Sequence, residues 1–413
     1  MHPHLAVVFA LFLLLPAAAQ RAHAAAEPTD LDAAVRANRM GTLIVRAEPG
    51  ATVKVTQQRH EFWFGTAISR GMFRPDVDPD ARRQYLAVLK DNFNSAVHEN
   101  ALKWYSTERV RGQVSYEEAD RMLDWCEENG LVMRGHCLFW CVDRYVQGWI
   151  KDLDDAALRE AVRRRALDVT TRYHGRIVEY DVNNEMLHAS FYRGRLGEDI
   201  RADMFRLARE GDPDALLYVN DYNILSGRDA ARYEQQIEDL LAQGAPVGGI
   251  GCQGHFGGSI DMGKVRETLD RLGRFGLPVK VTEFDINIAD EQRKARLLEE
   301  FYRTCFAHPA VEGILMWGFW EGAHWRPKAA LWKRDFTPTP AAEAYRRLVF
   351  DEWWTRWEGQ ADAEGRCEVP AFFGRHRVEV AGRGKDVDLP KADRTVEITC
   401  TAPDPAAWAV RPG

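Results

Sequence analysis

Two glutamates stand where strand-like apolar runs end. Glu185 closes VEYDVNNE, and Glu283 lies in VKVTEFDI. A pair of carboxyl groups in different surroundings can divide the work of one reaction. One holds a proton and gives it up, while the other stays ionised and attacks or stabilises a developing cation. That division suits cleavage of a glycosidic bond, where the departing oxygen needs a proton and the sugar passes through a cation-like transition state. Taken alone, Glu185 fits equally well a strand running into a helix with Asn184 as its cap.

The other strand-like ends carry mostly neutral hydrogen-bonding groups, imidazoles and indoles. They are Glu99, Asn100 and Lys103; His136 and Trp140; Asn183, Asn184 and His188; Asn220, Asp221, Tyr222 and Asn223; Gln253 and His255; Asp285; and Trp317, Trp320 and Trp325. Such a lining suits a neutral polyhydroxylated ligand. Asp285 is two residues from Glu283, so on a regular strand both face the same way, and Asp285 could orient His255 as a donor to Glu283. No Cys/His set has zinc spacing, and no Ser–His pair sits in a nucleophile-elbow sequence. No glycine-rich phosphate loop follows a strand. No metal and no cofactor are expected.

Eight apolar runs could position these groups: Phe62–Ile68, Phe93–Val97, Val132–Trp140, Val178–Asn184, Leu216–Asn220, Gly248–Gln253, Val279–Phe284 and Gly313–Trp320. They start roughly thirty to forty-five residues apart, room for a strand, a helix and two loops. Helical patterns fill the intervals, with Asp155 as a cap for the helix over 156–174, Gly130 after the helix over 116–129, and Pro340 opening a last helix. One strand per helix predicts an α/β fold, a parallel (β/α)8 TIM barrel, with a doubly wound open sheet as the competitor. The chain divides into 1–24, a signal peptide; 25–60, a short N-terminal extension; 61–350, the catalytic barrel; and 351–413, a small β-rich C-terminal region of alternating runs such as HRVEVAG and TVEITC.

The signal expectation rests on an apolar core, Leu5–Pro16, too short to span a bilayer, followed by the A-x-A pattern Ala22-His23-Ala24. The mature chain is therefore expected to be secreted or periplasmic, without a membrane segment, and a monomer. A net charge of −7 gives no electrostatic case for nucleic acid. Of seven cysteines, Cys126, Cys137, Cys252 and Cys305 read as small core residues, and Cys367 with Cys400 is the candidate disulfide in the tail.

Seven pieces, in order and on seven strand ends, carry a resemblance: ENALKW (Glu99–Trp104), RGHCLFW (Arg134–Trp140), YDVNNE (Tyr180–Glu185), NDYN (Asn220–Asn223), GIGCQGH (Gly249–His255), VTEFDI (Val281–Ile286) and WGFWEGAHWRP (Trp317–Pro327). The chain resembles glycoside hydrolase family 10, the retaining endo-1,4-β-xylanases. The resemblance implies Glu185 as general acid/base and Glu283 as nucleophile. It implies Asn184, Gln253, His255 and His136 as contacts at the cleavage site, and Glu99, Asn100 and Lys103 as contacts to sugars on the non-reducing side. Trp140, Trp317 and Trp325 would form hydrophobic walls, with Asp285 and Tyr222 in support. The implied partner is β-1,4-xylan or a related plant cell-wall polysaccharide. Cys141, Glu321 and His324 depart from the family pattern and are expected to alter the walls near the cleavage site; Asn183 replaces a usual aliphatic residue. Two alternatives stay open: the same mechanism on another β-linked glycan, or a glycan-binding protein without turnover.

Overall fold

The structure, a computed structural model, describes residues 28–413; the expected signal segment 1–24 lies outside the described residues. A helix, Pro28–Arg39, leads into β1 (Met40–Arg46) and β2 (Thr52–His60). The barrel follows: β3 (Trp63–Ile68), β4 (Ser95–His98), β5 (Val132–Gly135) with a two-residue continuation β6 (Phe139–Trp140), β7 (Ile177–Asn184), β8 (Leu216–Asp221), β9 (Gly249–Phe256), β10 (Val279–Ile286) and β11 (Val311–Met316). Every neighbouring pair is parallel, and β5–β7 together with β11–β3 completes the ring. The sheet is thus a closed (β/α)8 barrel and not an open doubly wound sheet. Its eight principal helices each follow a strand, as in Glu117–Glu128, which turns Ala119, Met122, Leu123 and Cys126 inward.

Local chemistry accounts for several boundaries. Gly130, at φ +73°, ends that helix in a left-handed turn that an L side chain rarely adopts, and Leu131 N closes back on Cys126 O at 2.8 Å. The helix Asp155–Arg172 is capped by Asp154, whose carboxylate accepts from Ala157 N, so the expected cap Asp155 lies one residue inside. Both positions are aspartate. The choice is made by which phase turns Leu158, Ala161 and Val162 into the core. The third run, expected as one strand over 132–140, breaks: Leu138 N bonds Asp181 O, and only Phe139 and Trp140 rejoin the ladder against Asn183 and Asn184.

The barrel interior is charged. Arg134 is bonded to both Glu179 and Asp181, and Lys280 to Glu179, with all four side chains almost wholly buried. Arg134 lies over Tyr218 and Lys280 over Trp63. The close approach requires glycine at Gly249 and Gly313, where a Cβ would overlap Tyr218 and Trp63. Such a network survives burial only because each charge is paired. It also reaches the functional end: Asp181 Oδ2 accepts from His136 Nδ1 at 2.8 Å, which sets the imidazole's orientation.

The strands outside the barrel form one module. β12 (Arg356–Gln360), β13 (Arg366–Phe372), β14 (Gly374–Val380), β15 (Arg383–Leu389), β16 (Thr395–Thr399) and β17 (Ala409–Pro412) join the two N-terminal strands in two four-stranded sheets, ordered β13-β1-β16-β17 and β12-β2-β14-β15. The segments read as a separate extension, 25–60, and a separate tail, 351–413, therefore share sheets. β1 and β2 each need partners on both edges, and a closed barrel has no free edge to offer them. Val45, Val53, Val55, Val369, Val378, Leu389 and Ile398 fill the core between the sheets. The register overturns the disulfide candidate. Val45 pairs with Cys367 on one side and Ile398 on the other, and Cys400 N bonds Arg46 O, so Cys367 and Cys400 sit on opposite sides of β1. Two strand spacings amount to about 9.5 Å, beyond the roughly 7 Å that a disulfide can bridge. Both thiols are free and buried.

Candidate active site

The carboxyl ends of the barrel strands surround a cleft of about 680 Å³. Thirteen of the expected site residues line it: Glu99, Asn100, Lys103, His136, Trp140, Asn184, Glu185, Tyr222, Gln253, His255, Glu283, Trp317 and Trp325. Asp285 stands behind the wall and holds three of its parts. It accepts from His255 Nδ1 at 2.8 Å, from Trp325 Nε1 at 2.9 Å and from Arg326 Nη1 at 3.2 Å.

Glu185 follows the end of β7 with φ +62°, left-handed for a residue with a side chain. Backbone strain of this kind costs on the order of 1–3 kcal/mol and recurs at functional sites. Its N–H is taken by Asn220 O at 2.9 Å, and the chain then turns so that His188 N and Ala189 N return to Glu185 O. Asn184 is therefore the last strand residue and not a helix cap. A register slip explains which asparagine faces the cleft. Glu179 and Asp181 face the barrel interior, and strict alternation would bring Asn183 in next. Between the Asp181–Tyr218 and Asn184–Asn220 pairs, β7 carries one extra residue. Asn184 takes the inward place, its Oδ1 accepting from Asn220 Nδ2 at 3.0 Å, and Asn183 is buried with its Oδ1 unpartnered.

The two glutamates meet different surroundings. Glu185 Oε2 accepts from Trp140 Nε1 at 2.8 Å and Oε1 from Gln253 Nε2 at 3.2 Å, both neutral donors. Burial pushes its pKa above the ordinary carboxyl value, and the nearby Glu283 charge pushes the same way, against the Trp140 hydrogen bond. Glu283 Oε1 accepts from Asn220 Nδ2 at 3.0 Å and Oε2 from His255 Nε2 at 3.2 Å. Asn220 is in turn fixed by Thr282, which donates to its Oδ1 at 2.6 Å. His255 faces a carboxylate at each nitrogen, so both must carry hydrogen. Burial opposes that charge, but the bonds to Asp285 and Glu283 outweigh it and raise the imidazole to about 9. Glu283 thus faces a cation and an amide, while Glu185 faces an indole and an amide.

At one end of the cleft Lys103 Nζ donates to Asn100 Oδ1 at 3.2 Å and lies 4.4 Å from the Trp140 ring centroid. Burial raises the pKa of Glu99, opposed by Lys103. Trp317 meets the edge of His136 at 5.0 Å, and Trp325 is half exposed at the mouth. The three residues expected to depart from the family pattern lie behind the lining. Cys141 is buried, with Sγ donating to Asn184 O; Glu321 accepts from Arg334 N; His324 is packed against Gly318 with Nδ1 accepting from Arg326 N. None of the three is itself a lining residue; each bonds a backbone group behind the wall. Trp320 also points away, stacked on Phe336 at 4.8 Å.

The cleft holds residues that strand-end reasoning missed. Tyr145 stacks on Trp140 at 3.9 Å, and Arg144 lies over Tyr145. Both come from the loop after β6, where neither period nor spacing marks a site. Tyr105, which donates to Asn100 Oδ1, lies in the one-turn helix Trp104–Thr107 and Arg326 in the loop after β11. Asn220 was visible as a strand end but carried no assigned role.

Residues 53–348 match the family model of Glycosyl hydrolase family 10. The chain belongs to that family. It is 42% identical over 335 residues to endo-1,4-beta-xylanase 1 of Arabidopsis thaliana, covering 80% of this chain and 34% of that protein. It is 39% identical over 359 residues to anti-sigma-I factor RsgI6 of Acetivibrio thermocellus, covering 86% and 46%. Endo-1,4-beta-xylanase 3 of Hypocrea jecorina is 31% identical over 331 residues, covering 75% and 89%. Among solved structures, xylanase 10B from Thermotoga petrophila RKU-1 in complex with xylobiose superposes with a TM-score of 0.66 at 25% identity, over 71% of this chain and 95% of that one. The family 10 chain spans less than half the length of the first two of these relatives.

Proposed function

We propose that this family 10 chain is a retaining glycosidase that cleaves internal β-1,4 linkages of xylan, with Glu185 as acid/base and Glu283 as nucleophile. The reading is carried by the asymmetry of the pair: one carboxyl has a raised pKa among neutral donors, and the other faces the His255 cation. In the first step protonated Glu185 gives its proton to the glycosidic oxygen as the bond to the anomeric carbon breaks. A Glu283 oxygen attacks that carbon, leaving a glycosyl ester and a free sugar hydroxyl. In the second, Glu185, now a carboxylate, takes a proton from water. The water oxygen attacks the anomeric carbon and frees Glu283. Asn220 and His255 hold the nucleophile in place, and Asn184, His136 and Gln253, which line the same cleft, meet hydroxyls of the sugar whose glycosidic bond breaks in this reading.

The amides and aromatic rings among the lining residues support a polyhydroxylated glycan chain, and the xylanases among the relatives support xylan. The apolar run Leu5–Pro16 with Ala22-His23-Ala24 supports export; the mature chain would then begin after Ala24, which N-terminal sequencing of the exported protein reads. Incubating the purified chain with arabinoxylan, mixed-linkage β-glucan and cellulose tests the substrate. Xylo-oligosaccharides are expected from the first. Products from glucan alone would overturn the xylan assignment, and xylan binding without any product, in a folded chain, would overturn the enzyme.

A smaller change probes the acid directly. The Trp140 indole N–H stabilises the Glu185 carboxylate, so Trp140→Phe removes a force that lowers the pKa. The acid form then persists to higher pH. The alkaline limb of the kcat/KM profile on xylan should move upward, and a limb that moves downward counts against Glu185 as the proton donor.

A further inference from the structure

His188 lies three residues beyond Glu185 and lines the same cleft, yet no step above uses it. Its Nδ1 is 2.6 Å from Asp221 Oδ1 and its Nε2 is 3.1 Å from Asp229 Oδ2. Carboxylates only accept, so both ring nitrogens donate and the imidazole is cationic. Neither carboxylate can swing away: Asp221 is fully buried and also receives Leu187 N at 2.8 Å and Tyr222 N at 2.9 Å, while Asp229 is bound by Arg232 at 2.9 Å. This clamped ring lies flat against Tyr222, with centroids 3.9 Å apart and planes 15° apart. A cation under a phenol face is attractive, and most so where water is excluded.

The place of Tyr222 in the barrel gives the pairing a use. It follows β8, next to the β7 end that carries Glu185. Glu99, Asn100 and Lys103 follow β4, on the other side of the line joining the β7 and β10 ends. Under the glycosidase reading, on which this inference rests, those β4 residues hold sugars on the non-reducing side, so Tyr222 belongs to the side from which the aglycone departs. We propose that His188 is a positioning residue that fixes the Tyr222 ring as a stacking platform for the first sugar unit on the leaving side. The ring of Tyr222 is then braced by the Asp221–His188–Asp229 clamp against which it stacks.

The test compares xylopentaose, which fills both sides of the cleavage point, with β-xylobiosyl fluoride, whose leaving group has no ring to stack. Taking kcat/KM for the pentaose divided by that for the fluoride, His188→Gln, His188→Ala and Tyr222→Ala should each lower the ratio by roughly tenfold, the weight of one aromatic contact. His188→Gln with Tyr222→Ala should lower it no further than Tyr222→Ala alone, because the imidazole acts only through the phenol. The proposal is overturned if the ratio is unchanged in both His188 variants, or if the two losses multiply in the double variant. Wild-type protein that turns over neither substrate overturns the glycosidase reading, and the platform with it. Should His188→Ala not fold, His188→Gln still decides, since it keeps one hydrogen bond to the clamp.

Discussion

Alanine at Glu283 is expected to lower turnover of xylan by at least about 10⁴-fold, the scale of losing a covalent nucleophile. The loss follows from geometry. Glu283 is the only carboxyl bonded to both Asn220 Nδ2 and His255 Nε2, and no other acid among the described residues can take that place. The same variant should be partly rescued by azide on an aryl xylobioside with a good leaving group. The alanine leaves a space the size of a carboxylate beside the His255 cation, and a small anion can enter it. Attack by azide from that side breaks the same bond and yields an α-xylobiosyl azide, of opposite anomeric configuration to the β-linked substrate. Analysis of the product by nuclear magnetic resonance reads this directly. A Glu283→Ala protein that keeps wild-type activity on xylan, or is rescued to the β-azide, removes Glu283 from the nucleophile's role.

The second large effect belongs to Glu185. Glu185→Ala should cost roughly 10²–10⁴-fold on xylan, whose leaving group is an ordinary sugar alcohol and must be protonated. An activated aryl xylobioside should lose far less in its first step, because a phenolate departs without a proton. The second step then becomes slow, since nothing takes the proton from water. Azide, which needs no base, should accelerate that step and give the β-azide, the opposite product from Glu283→Ala. The pH profile supplies a further mark. Burial and the Glu283 charge hold the Glu185 pKa above the ordinary carboxyl value, so in wild type the acid form is lost, and kcat/KM falls, only as pH rises through that elevated value. In Glu185→Ala this alkaline limb should disappear. Equal losses on xylan and on the aryl substrate would assign Glu185 a binding role instead.

Glu185 and Glu283 show how much of the site can be read without coordinates. Each lies near the carboxyl end of a strand-like run, and a count of eight runs suffices to put both at one mouth of a barrel. Asn184 shows the limit. Of the neighbouring asparagines at 183 and 184, strict alternation favours Asn183, the wrong one. The extra residue in β7 reverses the phase, and only the pairing with β8 reveals it. Tyr145 and Arg144 were missed for a related reason, and His188, visible just beyond a strand end, carried no assigned role: what they do depends on how a loop folds back over Trp140 and how an imidazole meets Asp221 and Asp229, contacts that no period encodes.

The same division runs through the whole molecule. Burial patterns along the chain, eight strand-like runs each followed by an amphipathic helix, are enough to specify a (β/α)8 barrel and where its chemistry must lie, because hydrophobic period and strand ends are local properties of the sequence. What needed the tertiary structure was every matter of partnership across long separations. β1 and β2 complete sheets with strands some three hundred residues away. Cys367 and Cys400 are held apart by β1. Cys141, Glu321 and His324 stand behind the wall and not in it. His255 becomes a cation between Asp285 and Glu283. Pairing of this kind is settled by which edges and charges remain unsatisfied once the barrel has closed, and that is a property of the closed ring and not of any stretch of chain.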